Sequence, residues 1–168
     1  MVRDLFIVGA GPSGLAAAIA AKQQGLDYVI VEKGTLVNSI FQFPSHMVFF
    51  TTPELLEIGG LPLTTPYEKP TRLEALRYYR RVVDTHGLQI AFDQTVTDIE
   101  RDEQDIFSVV TRSGTQVTRS WQARAVILAI GYYDLPNFLN IPGEELPHVS
   151  HYYREAHSHY RQRVVVVG

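Results

Sequence analysis

Three glycines, one glutamate and the absence of cysteine set the chemistry open to this sequence. The run GAGPSG at Gly9–Gly14 has G-x-G-x-x-G spacing, which suits a backbone that must approach a pyrophosphate. Gly9 permits a tight turn, Gly11 keeps a side chain out of the way of the phosphates, and Gly14 lets a helix pack closely on a strand. Pro12 costs little at the first helical position, where its missing N–H would have had no partner. Ser13 lies in the same first turn, where unpaired N–H groups and the helix dipole favour negative charge. Glu32 follows Gly14 by 18 residues, a spacing that suits acceptance of hydrogen bonds from adenosine ribose hydroxyls and repulsion of the extra phosphate of NADP. No cysteine is present, which excludes disulfides, thiolate metal sites and a cysteine nucleophile. Redox chemistry on this chain therefore needs a cofactor.

The elements that must hold these residues are legible around them. Asp4–Val8 is a short apolar run bounded by Gly9, Leu15–Gln24 is an alanine-rich helical stretch ending at Gly25, and Asp27–Glu32 is a second apolar strand. Together they predict a βαβ unit with parallel strands. Residues 33–70, with prolines, scattered aromatics and Gly59-Gly60, predict an irregular segment wrapping over something. Thr71 and Glu74 form a capping box, and Leu73, Leu76, Tyr79, Val82 and Val83 fall on one helical face that Gly87 ends. Leu88–Phe92, Val96–Arg101, Phe107–Arg112 and Gln116–Arg119 read as short strands of an antiparallel meander. Ala125–Ala129 is a continuous apolar run, as in a parallel strand buried on both faces, and Ile130-Gly131 ends it. A polar helical stretch near Tyr152–Tyr160 and a last strand, Val164–Val167, complete the reading. The fold class is α/β: a Rossmann-like domain over residues 1–162, with 163–168 as the start of a second nucleotide-binding unit.

Bulk properties narrow the class further. A length of 168 residues, 45% of them hydrophobic, allows one domain with a buried core. The net charge of −3, without long runs of like charge, argues against nucleic-acid or anionic-membrane partners. No charged leader with a long apolar region follows Met1, and no apolar run reaches the roughly 18 residues of a membrane span. The cytoplasm is the expected location.

The loop, capped helix, meander and return strand ending in Ala129-Ile130-Gly131 resemble the FAD domain of two-dinucleotide flavoproteins, with Ile130 where those proteins carry threonine. The runs EKGTLVNSIFQFPSHMVFF from Glu32, KPTRLEALRYYRRVV from Lys69, GYYDLPNFLNIPGEELPHVSHYYREAH from Gly131 and the terminal VVVVG resemble the thioredoxin-reductase-like flavoproteins of the bacillithiol disulfide reductase family. The resemblance covers essentially the whole chain. It implies FAD held by Gly9, Gly11, Pro12, Ser13, Gly14, Glu32, Lys33 and Ala129–Gly131, with Ser39 and His46 near the flavin and Val96 near the adenine. It also implies an NADPH domain beginning near Arg163 with Gly168 opening its phosphate loop, electron flow from NADPH to FAD, and a small-molecule acceptor such as a low-molecular-weight disulfide. A homo-oligomer is compatible with these features. The chain departs from that family at Ser13, where bacillithiol reductases carry a cysteine. Serine cannot form a mixed disulfide, whereas flavin reduction does not require that thiol.

Other residues carry two readings each. His46, among Phe41, Phe43, Phe49 and Phe50, is either a hydrogen-bond donor near the flavin or a packed core histidine. Tyr132 and Tyr133 follow the return strand, where open α/β sheets bind ligands, and suit either a cofactor contact or interdomain packing. His151, His157 and His159 lack the cysteine or acidic partners of a metal site, so surface or packing roles are expected. Two further functional readings remain open: a FAD-binding module without turnover, and an enzyme like the flavin monooxygenases.

Overall fold

A computed structural model describes residues 1–167. Strand β1 (Val2–Val8) leads through the glycine run into helix α1 (Pro12–Gln23), and β2 (Tyr28–Glu32) follows. The 33–70 segment holds only a short helix, α2 (Asn38–Gln42), and a 3-10 turn at Pro53–Leu55. Helix α3 (Arg72–His86) precedes β3 (Ile90–Phe92), β4 (Thr95–Arg101), β5 (Phe107–Arg112) and β6 (Thr118–Leu128). Among the described residues these strands form one sheet in the order β3-β2-β1-β6-β5-β4. Pairing is parallel from β3 through β2 and β1 to β6, and antiparallel across β6, β5 and β4. The sheet is α/β and Rossmann-like, as its sequence pattern predicts.

Strand β1 sits between β2 and β6, with Leu5 opposite both Tyr28 and Ala125. Its side chains alternate between two cores, as the two-residue period of a strand demands. Leu5 and Ile7 join Leu15, Ala18, Ile19, Tyr79 and Val82 from the helices, while Phe6 and Val8 join Val29, Val31, Val109 and Ala123. The capping box of α3 forms as read: the Glu74 N–H donates to Thr71 Oγ1, and the Thr71 N–H donates to Glu74 Oε2 at 2.8 Å. The Thr71 N–H, aided by the hydroxyls of Thr65 and Thr71, holds the Glu74 carboxyl below its ordinary pKa. Gly87 ends the helix in the left-handed conformation, φ 56°.

Several expectations need correction. Strand β3 pairs in parallel with β2 instead of joining the meander; periodicity reports a strand but not its partner. Gln116–Arg119 and Ala125–Ala129 are not separate strands, since β6 runs unbroken from Thr118 to Leu128 and takes in parts of both, antiparallel to β5 at one end and parallel to β1 at the other. The second half of β6 is not buried on both faces: Ile127 and Leu128 are 37% and 61% exposed, because this end forms the wall of a cleft. Leu73 lies on the exposed side of α3, and Ala75 and Tyr78 take buried positions beside Tyr79 and Val82.

The Tyr152–Tyr160 region is not a helix beyond a 3-10 turn at His157–His159. Val164–Val167 are exposed and form no strand. An apolar run without a neighbouring strand has no partner for its backbone N–H and C=O groups. The expected role of Gly168 falls outside the described residues.

Candidate dinucleotide-binding site

The glycine run does the mechanical work expected of it. A Cβ at Gly14 would stand 2.0 Å from the Gly9 carbonyl oxygen, so only glycine lets α1 seat against the turn. Gly9 itself, at φ 106°, would place a Cβ 2.4 Å from the Ala129 carbonyl oxygen. Gly11 differs, since a Cβ there meets nothing within 4 Å. The space beside Gly11 belongs to a cleft of about 1000 Å³, at the upper end of ordinary small-ligand pockets. Gly11 is also the N-cap of α1, with extended backbone and no side-chain cap. The first-turn N–H groups of the helix are left for a ligand.

Glu32 holds this loop in place. It is 6% exposed; its Oε2 accepts from the Ala10 N–H at 2.8 Å and its Oε1 from the Gly34 N–H at 2.7 Å. A carboxylate offers about four lone-pair sites, so capacity remains for two ribose hydroxyls. From the other side, the Val37 N–H donates to the Ala10 carbonyl at 3.0 Å. Val37 is buried and adopts a left-handed conformation, φ 47°, as the N-cap of α2. A β-branched residue in that region is strained, and such strain persists only where surrounding contacts fix it.

The cleft lies where β1, β2 and β6 end. Its walls bring together Gly9, Gly11, Pro12, Ser13, Glu32, Lys33, Ser39, Val96, Ala129, Ile130 and Gly131. Two expected residues lie elsewhere. Gly14 is buried beneath the turn, so it shapes the site without touching the cleft. His46 is exposed and outside the lining, so it is neither a packed core histidine nor a wall of the cleft. Lys33 pairs with Asp134 across the cleft mouth, joining the end of β2 to the loop after β6. Tyr133 and Tyr132 both line the cleft. The Tyr133 ring meets Phe43 edge-on at 5.0 Å, and its hydroxyl donates to the Gln42 carbonyl at 3.3 Å. Burial raises its phenol above the ordinary value, and neighbouring Tyr152 adds to the effect.

Several wall residues escaped the sequence reading. Val37 and Asn38 sit in the irregular segment, Gln94 in the short link between β3 and β4, Thr95 at the start of β4, and Tyr79 on α3 reaches the cleft as well as the core. Tyr79 donates its hydroxyl to the Leu56 carbonyl at 3.0 Å, and burial pushes its phenol well up. Only Tyr79 carried a signal, its place on the apolar helix face. Of the remaining histidines, His151 does have an acidic partner, Glu144, at 2.9 Å. His157 and His159 are exposed.

A glycine turn between strand and helix, an acid closing the second strand and a cleft at the strand ends define a dinucleotide-binding α/β domain. The family model for pyridine nucleotide-disulphide oxidoreductases matches residues 6–168, and the chain belongs to that family. It is 41% identical to the bacilliredoxin reductase Bdr of Bacillus subtilis (strain 168), over 96% of this chain and 48% of the relative. The structure of the bacillithiol disulfide reductase Bdr (YpdA) from Bacillus cereus superposes with a TM-score of 0.91 at 38% identity, over 95% of this chain and 49% of that one. A flavin-containing monooxygenase from Stenotrophomonas maltophilia shares the fold, with a TM-score of 0.67 at 24% identity over 77% of this chain and 38% of its own. The chain spans about half the length of the relatives it matches. The family is one of flavin- and nicotinamide-linked oxidoreductases. Among the described residues, no helix is long and apolar enough to cross a membrane.

Proposed function

We propose that this chain is the FAD-binding part of an NADPH-linked oxidoreductase that delivers electrons to a small-molecule acceptor. The observation that carries this reading is the open space at Gly11, set at the uncapped start of α1 and on the same cleft as Glu32. In this arrangement the first-turn N–H groups of α1 bind the pyrophosphate, and Gly11 gives it a close approach. Glu32 accepts from the adenosine ribose and keeps the glycine loop in register through Ala10. Val96 and Thr95 wall the adenine end, while Ser39, Phe43, Ile130 and Tyr133 wall the opposite stretch and restrict water. When bound, FAD supplies the two-electron redox chemistry, and the protein supplies orientation and electrostatics.

Ser13 stands on the cleft as an exposed hydroxyl. It cannot attack a disulfide, so reduction of a low-molecular-weight disulfide requires a thiol outside this chain's cysteine-free sequence. The nicotinamide-binding unit belongs with the extra length of the relatives, with residues 163–168 as its start, and the compartment we assign is the cytoplasm. A second reading is a FAD-binding module without turnover of its own.

The visible absorption spectrum of the purified chain tests the first claim. Flavin bands, present as isolated or after adding FAD, are expected; a chain that stays colourless overturns the reading. Anaerobic NADPH then separates the two forms, since bleaching of bound flavin by this chain alone removes the module reading.

A further inference from the structure

The adenine end of the cleft is backed by a buried chain of hydrogen bonds that runs in one direction only. The Trp121 indole N–H donates to Thr111 Oγ1 at 2.9 Å, and the Thr111 hydroxyl donates to Gln94 Oε1 at 2.7 Å. Thr111 is fully buried and Gln94 is 5% exposed. An indole N–H can only donate, so the threonine oxygen accepts from it and its single proton goes to Gln94. The Gln94 atom that receives it must be the carbonyl oxygen. The amide nitrogen is thereby turned toward the backbone and donates to the Asp93 carbonyl at 2.8 Å.

The chain ends on the site. The Gln94 backbone N–H donates to the Glu32 carbonyl at 2.9 Å, and Gln94, Thr95 and Val96 all line the cleft. Asp93 holds a left-handed conformation, φ 56°, with its Oδ1 accepting from the Gly114 N–H at 2.8 Å. The link between β3 and β4 is therefore set from the meander at two points: Gly114 grips Asp93, and Thr111 grips Gln94. At the far end, the Trp121 ring packs on Phe6 of β1, with centroids 5.8 Å apart. Each of these buried polar groups has a partner, the condition under which such networks rigidify a structure.

The geometry points to Trp121 and Thr111 as positioning residues for nucleotide recognition: they set the Asp93–Val96 backbone and, through Gln94, the end of β2 that carries Glu32. This inference rests on the dinucleotide reading of the cleft and names the part of the protein that tunes its affinity for the adenosine half. The antiparallel meander then serves as a brace for the adenine wall.

Titration of the purified chain with ADP, which contains only that half of the cofactor, tests it by calorimetry, at a temperature where circular dichroism shows each variant folded. Thr111→Val keeps the shape and removes both hydrogen bonds; it is expected to weaken ADP about fivefold or more. Thr111→Ser restores the hydroxyl and is expected to return affinity to within about twofold. A purely structural role lowers the melting temperature of Thr111→Val but leaves ADP affinity in the folded state unchanged, and that result overturns the inference. If Thr111→Val does not fold, Trp121→Phe decides in its place, with unchanged ADP affinity again overturning the inference. Failure of the unsubstituted chain to bind either ADP or FAD overturns the dinucleotide reading, and this inference with it.

Discussion

Residues up to Gly131 build two buried apolar cores, whereas residues from Tyr132 onward leave most of their large apolar side chains in water. In the first region Phe6, Ile7, Leu15 and Ile30 are fully buried, each worth roughly 1.5–3 kcal/mol relative to exposure. In the second, Leu135, Val165 and Val166 are 80%, 86% and 84% exposed. Composition does not separate the two, since both contain runs of valine and leucine. Neighbours do. Strand β1 has β2 on one side and β6 on the other, with helices over one face. The later region is tethered at a few points: Tyr133 on Phe43, the Tyr133 hydroxyl donating to the Gln42 carbonyl at 3.3 Å, and the Ser45 N–H donating to the Arg154 carbonyl at 3.2 Å. The cleft is built by the first region and bordered by the second.

The sharpest test of this contrast lies within the glycine run. Gly14→Ala drives a methyl into the backbone of Gly9, and neither side can yield; a stability loss of about 3 kcal/mol or more is expected in denaturant unfolding. Gly11→Ala has open space and a compatible backbone, so its stability should stay within about 1 kcal/mol of the unsubstituted chain. On the proposed reading its methyl occupies the phosphate approach, so FAD affinity should fall about tenfold or more in a flavin-fluorescence titration. Equal stability losses in the two variants would break the division between glycines that pack and glycines that bind. Next in size is Glu32→Gln. The amide keeps one acceptor, so one of the two backbone N–H donors from Ala10 and Gly34 loses its partner, at a cost of about 1–3 kcal/mol. Thermal unfolding and FAD titration should worsen together, because the same carboxylate supports the loop and lines the cleft in which we propose FAD binds.

What the sequence disclosed follows the same division. The βαβ unit, the capping box and the glycine geometry are local patterns that depend on residues a few positions apart, and all formed as read. Partners are not local. Nothing in Ile90–Phe92 states that it pairs with β2, and nothing in Thr118–Leu128 states that one strand serves two neighbours of opposite direction. Cleft residues followed the same rule: Gly9, Gly11 and Glu32 carry their role in their spacing, whereas Val37 and Gln94 reach the site only through hydrogen bonds to distant backbone. The segment around His46 divides likewise: Phe43 and Phe49 line the cleft, whereas His46 between them in sequence is exposed and outside the lining. The Val164–Val167 run reads as a strand by composition, but pairing is a property of the surroundings.

The tethered region makes smaller predictions. Glu144 accepts from His151 and from the N–H groups of Leu139 and Asn140, and these bonds, His151 first, hold its carboxyl down at about 2. Because the folded-state pKa is depressed from an ordinary 4.5, the stabilisation is fully present above that value and is lost as pH falls toward about 2. Hydrogen exchange at the Leu139 and Asn140 amides should lose protection across that window, and Glu144→Gln should remove the pH dependence.

Smallest of all is Val165→Asp. A side chain with no strand partner and most of its surface in water has little to lose, so unfolding free energy should change by less than about 0.5 kcal/mol. A comparable substitution at Ile7, between two strands, inserts an unpaired charge into a packed core and should abolish folding. If Val165→Asp instead destabilised the isolated chain by more than 1 kcal/mol, the run would have to be packed against the domain in solution, and the contrast between the two regions would fall.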